Sequence, residues 1–426
     1  MFTINKYKFS KITLLNFFII IIPIGLVAGN TVTNAIIFII CVLGLIVYGK
    51  QIFIIEKKIY QYLLYIFFFY LILITLINNL PLLEKSELYK EHIIKSIFYL
   101  RFLILFLIIN KLIEKEEFKI RLFFISCALL SLFLSIDSLI QFFFKKNIIG
   151  YPLLYNRPTS FFNQEFILGG FLQKFSLFLI FYFLSKKNED FNLQTFLLFA
   201  FALVPIVLAG NKMPLLIFVS CFFTYFLIIK RFKEIFLLIC VVFLIFASVY
   251  KLTPNNRIKS DYGSFLNETK LIFLNSYKLF VFNEKNFDYY WSSGYLIHFN
   301  SGVQVWKKNK ISGAGLKSFR LNCTFEKNQT CNTHPHNYLI EIMVDTGLIG
   351  VFLFYLIFFF SLSNFFKYYY KENNQNIKKI SIVFFLLIFF ELFPFRSTGS
   401  FFSTSNSAFL FLILPMFLNI DRIKKL

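Results

Sequence analysis

Charge is what this chain has little of. Only 15% of its 426 residues are charged and just 22 are acids, while 58% are hydrophobic and 65 are Phe. A soluble chain carries about 25% charged and roughly 45–50% apolar residues, so a water-soluble enzyme is excluded. Disorder is excluded as well, because disordered chains are apolar-poor. The chain also lacks a contiguous basic stripe. Its Lys and Arg residues punctuate apolar runs, which speaks against nucleic acid as a partner despite a net charge of +22. Repeated Cys-x-x-Cys pairs are missing too; Cys41, Cys127, Cys221 and Cys240 lie inside apolar runs, where thiols behave as small hydrophobes.

What is present is a series of apolar stretches, each near the ~20 residues that cross a bilayer. They fall at 13–29, 31–48, 60–77, 93–110, 121–144, 167–184, 192–209, 213–229, 234–250, 336–360, 377–394 and 405–420. The expectation is an all-α polytopic membrane protein of about 12 transmembrane helices: nine spans in 1–250, one long external segment at 251–335 before the tenth span, and the rest in 336–426. The first run is not expected to be a cleaved signal peptide, since a second span follows at once and no small-residue cleavage site is evident.

Orientation follows from the positive-inside rule. Segments 6–11, 50–58, 111–121, 186–187, 230–233, 367–379 and 422–425 hold half of the 44 Lys and Arg residues, whereas the opposite turns at 29–31 and 209–213 hold only Lys212. Both termini are therefore expected in the cytoplasm, with 251–335 outside. That segment carries twelve Lys and Arg against five acids. Long translocated segments escape the charge rule, so its basic character reflects either coding bias toward Lys or a surface that receives an anionic substrate or headgroup. Cys323 and Cys331 lie in this segment. Outside the membrane a disulfide between them is expected, with two unpaired thiols as the alternative; no second ligand pair sits at zinc spacing.

The stretch Thr333-His334-Pro335-His336-Asn337-Tyr338-Leu339 holds two of the chain's four His residues at the mouth of a predicted helix. A His there can take or give a proton near neutral pH; the bland alternative is that His336 and Asn337 cap the helix and bind headgroups. Downstream, Glu341 and Asp345 share a helix face and are expected to pair with basic groups on neighbouring helices, and Gly347 and Gly350 to admit a neighbouring helix. Arg101, Asp137, Lys174 and Glu391 fall within spans, where interhelical pairing or substrate contact would justify them. Tyr289, Tyr290 and Trp291 would either stack on sugars or dip into the interface.

His336-Asn337 followed by Asp345-x-Gly347-Leu348-x-Gly350 resembles the hallmark of the O-antigen ligase and O-antigen polymerase family of bacterial inner membranes. Ile311-Ser-Gly-Ala-Gly-Leu-Lys-Ser-Phe319 is similar to the Gly-x-Gly-x-x-x-Phe element of the family's periplasmic loop. Arg157-Pro-Thr-Ser-Phe-Phe-Asn163-Gln-Glu165 resembles its earlier external segment. Ala209-Gly-Asn-Lys212 stands where the family usually has an Arg, and Ser397 to Asn406 resembles the loop before the last span. The likeness covers roughly residues 150–410.

The resemblance implies a metal-independent membrane glycosyltransferase without cofactors, acting at the periplasmic face of the inner membrane. It would move a glycan from an undecaprenyl-diphosphate carrier to an acceptor hydroxyl, on lipid A–core in a ligase or on another carrier-linked unit in a polymerase. His336 would be the catalytic group, with His334, Asn337 and Asp345 in support. Arg157, Lys212, Arg320 and Arg396 would bind the diphosphate, whose developing charge needs cations; the nearest alternative for each is an interfacial anchor. A transporter of lipid-linked glycans is a different class, for which internal repeats would be expected and none is convincing.

Overall fold

The computed structural model describes residues 2–54, 59–186, 193–253, 257–281, 294–323, 331–394 and 396–422; their regular structure is helical, with no named strand among them. In chain order the helices are α1 (Phe2–Ile20), α2 (Ile22–Ala28), α3 (Asn30–Tyr48), α4 (Ile59–Asn79), α5 (Glu87–Phe98), α6 (Leu100–Glu114), α7 (Ile120–Phe144), α8 (Leu168–Lys186) and α9 (Leu193–Leu208). They continue as α10 (Lys212–Ile228), α11 (Phe232–Leu252), α12 (Arg257–Val281), α13 (Gly294–Lys308), α14 (Phe319–Asn322), α15 (Tyr338–Lys371), α16 (Gln375–Glu391) and α17 (Thr404–Leu418). Each expected apolar run is occupied by helix. A backbone in hydrocarbon must satisfy its own amides and carbonyls, and the α-helix does so within one segment.

Among the described residues, six helical segments are long and apolar enough to cross a membrane, or seven if the pair α1–α2, bent by 44°, counts as one. Shorter apolar helices lie at Leu168–Ile180, Gln194–Leu208, Lys212–Ile228 and Thr404–Leu418. The exterior suits lipid: α11 exposes Phe236, Phe243 and Leu244 by 61% or more. Inside, Phe rings pack edge to face and stacked, as in Phe124 against Phe178 and Phe365 against Phe385.

The connections sort to two ends. At one, Lys115 donates to Gln51 and Arg422 to the Glu114 carbonyl. At the other gather the α2–α3 junction, the α4–α5 turn, residues 145–167, the α9–α10 turn, the described residues of 257–281, 294–323 and 331–337, and the α16–α17 loop. Ser405 meets Asn30 there, and the Leu316 amide meets Thr75 Oγ1. Among its described residues the long segment is not open loop: it carries α12, α13 and α14. Tyr289, Tyr290 and Trp291 lie outside the described residues.

Candidate functional site

The loop-rich end is organised around a break in α15. Gly347 sits at φ 62°, ψ −166°, a conformation closed to side chains, and interrupts the helix there. The backbone groups thus released are taken up by residues 310–315. Ala314 and Gly315 donate to the Val344 and Asp345 carbonyls, both at 2.9 Å, while Leu348 and Ile349 donate to Lys310 and Ile311. Gly313 and Gly347 touch backbone to backbone, and a Cβ on either would overlap the other strand of chain. Gly347 therefore admits a loop and not a neighbouring helix, and Gly350 lies against its own helix's Thr346.

The acids of α15 hold loops as well. Asp345 accepts the Lys317 amide at 2.6 Å and the Ser318 amide and hydroxyl at 3.2 and 3.1 Å. Glu341 accepts the Ser400 hydroxyl and the Phe401 amide, both at 2.6 Å. The expectation that they pair with basic residues of other helices is corrected: short polar turns supply the compensating donors, and backbone N–H groups satisfy a buried carboxylate without a second ion. Asn337 caps α15 by accepting from Ile340, and donates to the Pro394 and Arg396 carbonyls.

These loops frame a cavity of about 1000 Å³. Among the described residues, seven cations line it (Lys95, Arg157, Lys174, Lys212, Lys317, Arg320 and Arg396), against one carboxylate, Glu165. His334 and His336 line it too, and Phe166, Phe171, Phe175 and Phe409 give it an apolar side. All four cations expected to bind anions thus share one cavity with both motif histidines. Asn337 and Asp345 stand behind it as scaffold. A second cavity of about 550 Å³ lies at the opposite end beside Lys367, Lys371 and Asp421, away from every motif.

The cations are held differently. Arg157 donates to Asp261 of α12, which also lies 3.4 Å from Arg257. Lys212 begins α10 and donates to Ser264 at 2.9 Å. The turn before it is fixed by Asn211, which accepts the Gly169 amide and donates to the Phe166 carbonyl. Arg320 lies exposed, 3.9 Å from Glu91. Arg396 is buried and donates to Glu391 at 2.6 Å; Lys174 reaches the other oxygen of that carboxylate at 2.7 Å, and Tyr338 donates to it at 2.9 Å. Lys174 and Glu391 form the interhelical pair that spans α8 and α16. Asp137 instead holds residues 147–160 through the Ile148 amide and Ser160, and Arg101 donates to the Phe98 carbonyl.

His336 has φ 56°, a left-handed backbone that few non-glycine residues adopt and that His, with Asn and Asp, enters more readily than most. Its carbonyl accepts the Thr398 amide at 2.9 Å, and Asn332 approaches its Nε2 at 3.4 Å. Its ring lies between two other imidazoles, with centroids 4.2 Å away at His334 and 4.6 Å away at His298. Burial, and then the neighbouring His298, pushes His336 down to about 4; burial and His336 do the same to His334. The imidazoles are therefore neutral at neutral pH and open to a proton. His334 Nε2 is buried with no hydrogen-bond partner among the described residues. His298, on α13, was missed in the sequence because no motif surrounds it; its rarity was the one available signal. Cys323 and Cys331, joined by a disulfide, close the segment just before Asn332.

Fold and site together define an all-helical membrane protein with a cationic, histidine-bearing cavity at one end. Residues 196–355 match the family model described as O-antigen ligase. The chain carries an O-antigen ligase family domain over that stretch, and the resemblance read from the motifs is borne out there: this is a family of membrane glycosyltransferase-type enzymes. No curated protein matches the chain.

Proposed function

We propose that the protein is an O-antigen ligase-like glycosyltransferase of the bacterial inner membrane, working without a metal ion at the periplasmic face. It moves a glycan from an undecaprenyl-diphosphate carrier to a hydroxyl of lipid A–core. The observation that carries this reading is the convergence of Arg157, Lys212, Arg320 and Arg396 with His334 and His336 on one cavity that also has a phenylalanine side. A lipid diphosphate has the matching halves, an anionic head and an apolar chain.

In the proposed step the acceptor oxygen attacks the anomeric carbon of the glycan. The bond from that carbon to the diphosphate oxygen breaks, and its electron pair leaves as undecaprenyl diphosphate. His336 takes the hydroxyl proton. The cations stabilise the charge that develops on the leaving group, a task for which guanidinium forks suit phosphate oxygens. Lys212 contributes a point charge in place of a fork. A bound diphosphate would also favour imidazolium, raising His336 from its low value toward neutral pH as the proton is needed.

The test is reconstitution with an undecaprenyl-diphosphate glycan and a lipid A–core acceptor, comparing wild type with His336→Ala and Arg157→Ala. Loss of transfer by about a hundredfold or more is expected for each. Transfer that survives both substitutions overturns the assignment. Glycan chains that lengthen without the lipid A–core acceptor identify a polymerase of the same family.

A further inference from the structure

The cavity's cations fall into groups by their partners. One group is Arg157 and Lys212, tied to α12 through Asp261 and Ser264. Tyr295 of α13 lies within reach of the Arg157 charge, and His298 follows one turn later on the same helix, against His336. A second group is Lys95, Lys317 and Arg320, of which Lys95 and Arg320 share the carboxylate of Glu91.

We infer that the wall formed by Lys95 and Lys317, with Arg320 shared between the two lipids, is a second phosphate-binding subsite of this cavity, which holds a phosphate-bearing acceptor together with the donor diphosphate. This deepens the proposed glycosyl transfer and rests on it for the word acceptor. The wall is built and not incidental. Asp345 and Thr75 fix the backbone of Leu316 to Ser318 from two helices, so the Lys317 side chain leaves a rigid turn. His92 holds the same turn by its contact with the Leu316 carbonyl at 2.8 Å. Glu91 is the one carboxylate paired with this wall among the described residues; it lies 2.5 Å from Lys95 and 3.9 Å from Arg320, and no described acid forms an ion pair with Lys317. Lys95 and Arg320 share that one acid and Lys317 lines the cavity with them, so the lining here is positive. An uncharged glycan hydroxyl needs no such wall, whereas an acceptor that carries phosphate does. The phosphate has two sources: the diphosphate of a second carrier-linked glycan, or a phosphate on a glycolipid.

Native mass spectrometry of the full-length protein in nanodiscs with undecaprenyl diphosphate and with lipid A–core tests this. Wild type is expected to hold two phosphate-bearing lipids at once. The double variant Lys95→Gln/Lys317→Gln is expected to hold one, and Arg157→Ala also one. In the transfer assay the double variant should raise the acceptor KM about tenfold or more and leave the donor KM within about twofold. The identity of the second lipid assigns the source: another carrier diphosphate, or lipid A–core. A single lipid on wild type, or two retained by the double variant at unchanged thermal stability, overturns the subsite. Two lipids bound by a protein that transfers nothing would sustain the subsite and overturn the transferase reading. Transfer with one phosphate-bearing lipid would do the reverse.

Discussion

The carboxylate of Asp345, fully buried near the start of α15 and just before its break, accepts the backbone N–H of Lys317 at 2.6 Å. Its partner is thus a turn and not an ion. Asp345→Leu would leave the Lys317 and Ser318 amides and the Ser318 hydroxyl without their acceptor, at about 1–3 kcal/mol for each group that stays buried. The expected result is a loss of about 2–4 kcal/mol in stability, read as a lower Tm in detergent, together with exposure of Lys317 to amine labelling. An unchanged Tm and labelling rate would show that the turn is held by other means.

Gly347→Ala should act on the same junction from the other side. Its positive φ and the Ile311 and Gly313 backbone atoms packed against it leave no room for a methyl group. Strain of about 1–3 kcal/mol is expected, and activity should fall with stability. Gly29→Ala, also at positive φ but with open space around it, should cost less, so the difference between the two Tm values measures the close approach alone.

The imidazole trio yields a prediction in pH. Burial and His298 hold His336 at about 4, below its ordinary value near 6.5. Between those values the unfolded chain binds a proton that the folded site excludes. Local stability is therefore present above about 6.5 and is lost as pH falls through that window. Activity in single-turnover assays should show an acid limb from protonation of the free enzyme's His336. His298→Asn removes the like charge, so the limb should move to higher pH. A limb that stays in place would show that His298 does not act on His336.

How much of this was legible in the residues can be argued from the same groups. The helices were readable because a run of apolar residues has one use in this composition, and burial against lipid needs no partner to be known. The cations and the motif histidines were readable by the scarcity of charge: in a chain 15% charged, an Arg at the same end as His336 stands out. The partners were not readable. Glu341 and Asp345 share a helical face, which says where they point but not that Ser400 and Lys317 arrive there from 59 and 28 residues away. His298 and Lys95 were missed for a similar reason. Only the docking of α13 and α5 against the motif loops gives them a role.

The Cys323–Cys331 bridge lies next to Asn332, whose amide approaches His336 Nε2 at 3.4 Å. Closing so short a loop restricts the unfolded chain by about 2–3 kcal/mol. Reduction, or Cys323→Ser/Cys331→Ser, should loosen Asn332 and lower transfer several-fold while the Tm of the helical bundle stays within a few degrees. Thiol labelling before and after reductant, run beside the transfer assay, checks it. Full activity with both thiols labelled would remove the bridge from the site's support.

Glu391 separates the stability of the bundle from the chemistry of the cavity. It is buried between Lys174 and Arg396, and Tyr338 donates to it as well. Glu391→Gln leaves two buried cations without a counter-charge, an arrangement that costs about 3–5 kcal/mol. Lys174→Met is expected to cost less, because Arg396 still neutralises the carboxylate and Phe175 and Phe409 offer the methionine an apolar surround. The Tm order in detergent should therefore be wild type, then Lys174→Met, then Glu391→Gln. Should Lys174→Met prove the more damaging of the two, the ammonium would be required for more than pairing, and its place on the cavity wall would make it a ligand of the diphosphate.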